Sequence, residues 1–148
     1  MSNSTIAFNY SIKVGPFYWL GVGGIDEVGV SADIKNSIIS GNSFRNCNTS
    51  QFVILFYSGG GNLDSDGNCY LNQANDISLV DARLSGLANH GGVTRTHALL
   101  VGSPAINRAI TINCKSPDQR GMPRPIGPSC DSGAFEAEGS LFLPQIVR

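Results

Sequence analysis

The chain has 148 residues, enough for one domain with a continuous core, and a formal net charge of −1. Charged residues make up 14% of it, against roughly 25% in ordinary soluble domains. Its ten Lys and Arg are scattered, which argues against a nucleic-acid surface, and no apolar run approaches the roughly 20 residues of a membrane-spanning helix. In place of charge stand 18 Gly, 17 Ser and 13 Asn. Gly and Asn accept positive φ, and Ser and Asn bond nearby backbone, so this is the chemistry of short strands and tight turns.

The N-terminus, MSNSTIAFNYSIK, has neither a basic region nor a long apolar stretch of the signal-peptide kind. Asn3-Ser4-Thr5-Ile6-Ala7-Phe8-Asn9 and Asn36-Ser37-Ile38-Ile39-Ser40-Gly41-Asn42 match at Asn, Ser, Ile and Asn with an offset of 33 residues. Between them, Phe17-Tyr18-Trp19-Leu20 and residues 28–34 read as strands separated by Gly21 to Gly24. Residues 52–58, ahead of Gly59-Gly60-Gly61, read as a degenerate third copy. Short apolar strands ending in Asn or Gly, repeated at such intervals, predict the coils of a parallel β-helix with corner Asn side chains bonded along the axis. The first coil would lack a cover, which predicts either a missing upstream segment or self-association through its exposed strand edges.

Several residues invite a chemical reading. Asp26, Glu27 and Asp33 with Lys35 are the one acidic group on the predicted coils, but nothing in the repeats pairs the carboxylates as polysaccharide cleavage requires. Tyr10, Phe17, Tyr18, Trp19, Phe56 and Tyr57 are candidate sugar-stacking platforms, and the triplet at 17–19 is the best candidate for an exposed apolar patch. Asn62-Leu63-Asp64-Ser65-Asp66-Gly67 places oxygen side chains at positions 1, 3 and 5 of a calcium loop, with Gly at position 6. Asn62, Asp64 and Asp66 are therefore candidate calcium ligands. Position 12 is Gln73 where a bidentate Glu would stand, so an Asx-type turn before Cys69 is the competing reading.

Further along, His97 and Ser103 raise the question of a hydrolase triad. Gly102-Ser103-Pro104 lacks the flanking glycines of a nucleophile elbow, and His97 reads instead as a side chain bonded to backbone. His90, between Asn89 and Gly91-Gly92, reads as a turn residue in solvent. Four cysteines permit three pairings. No CxxC spacing exists, which argues against a zinc ribbon. The neighbouring pairs Cys47/Cys69 and Cys114/Cys130 each bracket a polar, turn-rich loop, which points to pairing between neighbours and to an oxidising compartment. Disulfides without a signal peptide predict that this is the C-terminal piece of a longer exported protein, with the signal peptide upstream.

From Asp81 to Glu136 a set of small motifs occurs in fixed order. They are Gly86-Leu87, Asn89 to Gly92, Thr96-His97-Ala98-Leu99-Leu100, Gly102-Ser103-Pro104-Ala105-Ile106, Asp118-Gln119-Arg120-Gly121, Pro123-Arg124-Pro125 and Cys130-Asp131-Ser132-Gly133-Ala134-Phe135-Glu136. This order resembles the C-terminal region of bacterial secreted parallel β-helix proteins, the choice-of-anchor Q domain family. Two departures stand out: no proline precedes Leu84 in Asp81-Ala82-Arg83-Leu84, and Asn107 follows Ala105-Ile106 where the family tends to carry an acid.

The resemblance implies an all-β, right-handed parallel β-helix of pectate-lyase-like form. Residues 1–80 would be its coils, 81–138 a last coil and a disulfide-stapled cap, and 139–148 an apolar tail. It points to the same cysteine pairing, and it implies export but no reaction. The expected function is a non-catalytic secreted or cell-surface module for display, adhesion or scaffolding, with extracellular polysaccharide or cell-surface components as partners. The alternative is a carbohydrate-active or carbohydrate-binding protein. No cofactor is expected beyond the candidate calcium.

Overall fold

The computed structural model describes residues 1–11, 23–26, 31–48 and 56–138. The Phe17 to Leu20 strand, Glu27, residues 28–30, the segment 52–55 and the tail 139–148 lie outside the described residues. The described strands are β1 (Thr5–Ala7), β2 (Ile25–Asp26), β3 (Ala32–Ile34), β4 (Ile38–Ser40), β5 (Cys47–Asn48), β6 (Phe56–Ser58), β7 (Leu63–Asp64) and β8 (Ile77–Ser78). β1, β4, β7 and β8 form one parallel sheet in that order, while β2 pairs with β5 and β3 with β6, again in parallel.

The strands are short because left-handed backbone interrupts them. After β4 comes Gly41 (φ 65°), Phe8 (φ 55°) takes the same register position after β1, and Leu79 (φ 61°) follows β8. Glycine adopts this corner without strain, whereas a bulky residue does so at a cost of roughly 1–2 kcal/mol.

Register places Thr5, Ile38, Leu63 and Ile77 in one row of the central sheet, and Ile6, Ile39, Asp64 and Ser78 in the next. Successive strand residues face opposite sides, so the two rows serve two cores. Ile38 and Leu63 pack with Ala82, Leu99, Ala105, Phe135 and Ala137. Ile39 packs with Ile34, Phe56, Cys47 and Cys69.

Residues 79–138 contain one 3-10 turn, Thr111–Asn113, and two antiparallel bridges, Leu84↔Leu99 and Ala88↔Thr96. They lie on the first face of the sheet. Three consecutive residues clasp it: Ser132 Oγ donates to the Gly61 carbonyl before β7, Gly133 N to Asn36 O before β4 (2.8 Å), and Ala134 N to Thr5 Oγ1 on β1 (3.0 Å). Phe135 then enters the core.

This arrangement corrects the expectation of an all-β, right-handed parallel β-helix with a C-terminal cap. The described strands fall into three separate small sheets, and no closed or solenoid sheet joins them. The physical reason lies in chain spacing. Partners in the central sheet are 33, then 25, then 14 residues apart, so no constant coil length exists to propagate a solenoid. Strands of two or three residues also leave most backbone groups to be bonded by other means.

Cys47 is joined to Cys69 and Cys114 to Cys130. The first bond is part of the second core. The two disulfides fit an oxidising, extracellular environment. No helix among the described residues is long and apolar enough to cross a membrane.

A Cβ at Gly133 would come within 2.7 Å of Thr5 Oγ1 and 2.8 Å of Ile38 Cδ1, at φ 94°. Gly133→Ala is therefore expected to lower stability by about 2–4 kcal/mol, backbone strain adding to overpacking. Urea unfolding against Leu63→Ala, a cavity variant expected to lose about 2–5 kcal/mol, checks it. A near-neutral Gly133→Ala would remove the clasp from this account.

Candidate functional site

The calcium candidates lie among hydrogen-bonded amides and carboxylates at the central sheet, buried at Asn46, Asn62 and Asp64. Asn9 Nδ2 donates to Asn42 Oδ1 (2.9 Å), Asn42 Nδ2 to Asn46 Oδ1 (2.9 Å), and Asn46 Nδ2 to Asp64 Oδ1 (2.8 Å). Asp64 also accepts from the backbone N–H groups of Asp66 (3.2 Å) and Cys69 (2.9 Å). Asp66 accepts from the N–H groups of Asn46 (2.8 Å) and Asn68 (3.0 Å). Asn62 accepts from Ser37 N (2.9 Å), and its amide donates to Ile34 O (3.0 Å) and Asp76 Oδ1 (3.1 Å).

The oxygens of Asn62, Asp64 and Asp66 thus already serve protein donors, which is the geometry of a capped turn. Among the described residues no group of three His, Cys, Asp or Glu converges as a metal centre. Burial pushes the Asp64 carboxyl above its ordinary range, against the bonds from Cys69 and Asn46. Asp66 is also opposed by burial, but bonds from Asn68 and Asn46 hold it below that range.

A second buried network was not visible in the sequence. Asp131 Oδ1 accepts from Asn107 N (2.7 Å) and Oδ2 from Ala137 N (2.6 Å). Glu136 accepts from the N–H groups of Ile126 (2.8 Å) and Asp131 (3.0 Å), and its Oε2 lies 3.5 Å from Arg124 Nε as an ion pair without a hydrogen bond. Asp118 accepts from the N–H groups of Arg120 (2.7 Å), Met122 (3.0 Å) and Glu136 (3.0 Å), and pairs with the Arg120 guanidinium at 3.0 Å. That guanidinium stacks 3.6 Å over the Phe135 ring. Burial opposes the Asp118 charge, but its N–H donors and Arg120 bring its pKa below the ordinary range. Burial pushes Asp131 up to about 6, with Glu136 adding repulsion.

Arg120 and Phe135 hold up a ribbon formed by residues 83–100. His90 meets Phe135 edge-on at 5.9 Å and is half-buried, which corrects its reading as a side chain in solvent. Ser85 N donates to Ala98 O (2.9 Å), and Ala88 and Thr96 exchange both backbone bonds (3.1 and 2.9 Å). Between this ribbon and β1, the end strand of the described sheet, lies a slot of about 350 Å³, lined by Thr5, Ile6, Ala7 and Asn9 on one side. Leu87, Arg95, Thr96, His97, Gln119 and Ala134 line the other.

Next to the slot is a hollow of about 520 Å³ lined by Phe8, Asp81, Arg83, Leu84, Leu100 and Val101. The two meet where the Phe8 ring packs against His97, 5.2 Å between centroids. The left-handed turn at Phe8 lifts its ring over Gly41, where a Cβ would come within 2.6 Å of it, and leaves the residue 49% exposed.

His97 Nδ1 bonds the Ser85 carbonyl (2.8 Å) and Ser103 Oγ donates to the Ala82 carbonyl (2.6 Å). The two serve different backbone groups and form no dyad. Asp26 takes an amide bond from Asn48 on β5 (3.0 Å), while Asp33 stands exposed on β3. Tyr57 and Tyr10 are exposed and Phe56 is buried; Phe17, Tyr18 and Trp19 lie outside the described residues. No family model matches the chain, nor does any curated protein or solved structure.

Two predictions follow from the buried carboxylates. Asn46→Ala strips donors from Asp64 and from the carbonyl of Ile39, and is expected to cost about 1–3 kcal/mol in urea unfolding. For Asp131, a folded pKa of about 6 against an ordinary 3.8 means that the folded state holds more protons between those values. Its contribution to stability therefore falls as pH rises from about 4 to 6. The urea midpoint is expected to be higher at pH 5 than at pH 7, with a carboxyl titration near pH 6 seen by NMR and absent in Asp131→Asn. A midpoint that climbs steadily towards pH 7 would contradict this.

Proposed function

We propose that this protein is a non-catalytic secreted or cell-surface module that adheres to extracellular saccharide through the groove beside β1. The observation that carries this reading is the lining of the groove. It combines a half-exposed aromatic ring (Phe8), hydroxyl and amide side chains (Thr5, Asn9, Thr96, Gln119) and cations (Arg83, Arg95) with one carboxylate, Asp81. Rings that stack on a sugar face and polar groups that meet its hydroxyls are the usual means of saccharide recognition. Hydrolysis of a glycosidic bond ordinarily calls for two carboxylates flanking it, and Asp81, the one carboxylate in the described lining, already accepts from Arg83 N (2.9 Å).

The surrounding frame supports the same reading. The two disulfides suit an oxidising, extracellular setting. The motif order of residues 81–136, which resembles that of exported choice-of-anchor Q proteins, points to the same compartment.

The oxidised protein is expected to bind members of a polysaccharide panel of pectins, alginates, glycosaminoglycans and bacterial exopolysaccharides without shortening them. Retention on the immobilised polymers and product size after incubation are the two readouts. New chain ends would overturn the non-catalytic assignment, and retention on none of them would overturn saccharide adhesion.

A further inference from the structure

Resting on the reading of the groove as a saccharide site, we infer that the slot between β1 and the ribbon selects a carboxylate-bearing sugar, with Arg95 as its anion anchor. Among the described residues the lining of the slot includes Arg95 and no carboxylate. Among the described residues the Arg95 guanidinium has neither an ion pair nor a hydrogen bond, whereas Arg120 and Arg124 are paired with Asp118 and Glu136. A guanidinium facing a bound carboxylate forms two parallel charge-assisted bonds, a geometry a neutral sugar does not offer.

A second observation points to a ligand. Thr96 is 3% exposed, it lines the slot, and its Oγ1 has no hydrogen-bond partner. Buried hydroxyls are ordinarily bonded, and leaving one orphaned costs about 1–3 kcal/mol. Its neighbours on either side, Arg95 and His97, line the same slot, so an oxygen of the occupant would complete it.

The wall is also built in a defined position. Gln119 Nε2 donates to Thr94 Oγ1 (2.9 Å) and Arg95 O (3.4 Å), and Gln119 N donates to Ala134 O (3.0 Å). The backbone that carries Arg95 is thereby tied to the clasp on β1. A sugar chain leaving the slot would pass the Phe8 ring into the adjoining hollow. An acidic saccharide offers together the carboxylate, the hydroxyls and the apolar ring face that these groups match.

The test is calorimetric titration of the oxidised full chain with an α-1,4-linked galacturonate tetramer and with its methyl ester, which keeps the shape and removes the charge. The acid is expected to bind at least about ten-fold tighter than the ester, with affinity falling as NaCl is raised. Arg95→Gln should erase that preference. Thr96→Val should weaken both sugars, and Arg45→Gln, on an exposed residue outside the slot, should change neither. Melting temperatures identify any variant that has not folded.

Equal binding of acid and ester would overturn the inference while leaving saccharide adhesion standing. An equal loss in Arg45→Gln and Arg95→Gln would also overturn it, because the attraction would then be diffuse charge. Failure of both tetramers and of the polysaccharide panel would remove the inference and the adhesion reading together.

Discussion

Strands of two or three residues leave most of their backbone polar groups outside any ladder, and a buried N–H or C=O without a partner costs as much as a lost hydrogen bond. Everything else in this structure answers that constraint. Asn46, wholly buried with Asp64, bonds a strand carbonyl, a carboxylate and a hydroxyl with one amide. Asn36 exchanges bonds with Ile110 through both ends of its side chain. Asn62 links the residue before β4 to Asp76 before β8. These side chains act as rungs where the ladders stop, which is why a chain with so little charge buries so many polar groups.

The second half of the chain meets the same constraint with carboxylates. Asp118, Asp131 and Glu136 each accept two or more backbone N–H bonds inside a segment almost without regular structure. An ionised carboxylate is the strongest acceptor available for this, but its burial is costly unless cations accompany it. Arg120 and Arg124 supply them. Burial, with repulsion from Glu136, raises the pKa of Asp131, whereas at Asp118 the three backbone N–H donors and the Arg120 side chain outweigh burial and lower it. The hydrophobic clasp through Phe135 and the ionic knot are therefore one unit, since Arg120 belongs to both.

Much of the local structure was legible in the sequence. The 33-residue offset between the Asn3 and Asn36 segments is the register of β1 on β4, and Asn side chains do bond from strand to strand there. The step from that offset to a solenoid failed, because the next intervals are 25 and 14 residues and residues 79–138 cover a face of the sheet rather than extending it. The spacing of Asn62, Asp64 and Asp66 allowed a metal loop beside the favoured Asx-type turn, because alternating oxygens serve either purpose. The N–H donors that occupy them come from Asn46, Cys69 and Ser37, and sequence spacing does not show them. The groove was illegible for a related reason. Phe8 and His97 lie nearly ninety positions apart, and only the ribbon brings them together.

The groove's position ties its shape to the ionic knot. Its floor is β1, the end strand of the described sheet, and its far wall is a ribbon held by two bridges, which would not keep its place alone. That wall is held by Phe135 against His90, by Arg120 donating to the His90 carbonyl (3.5 Å), and by Gln119 bonding the Arg95 carbonyl. Each of these contacts belongs to the stretch 119–135, which Asp118 and Glu136 anchor at its two ends. Arg120 and Phe135, behind the slot, and Gln119, in its wall, thus set the distance between Arg95 and β1. The segment 118–136 thus shapes this groove, and its buried Asp, Arg and Glu side chains hold the groove's wall in position.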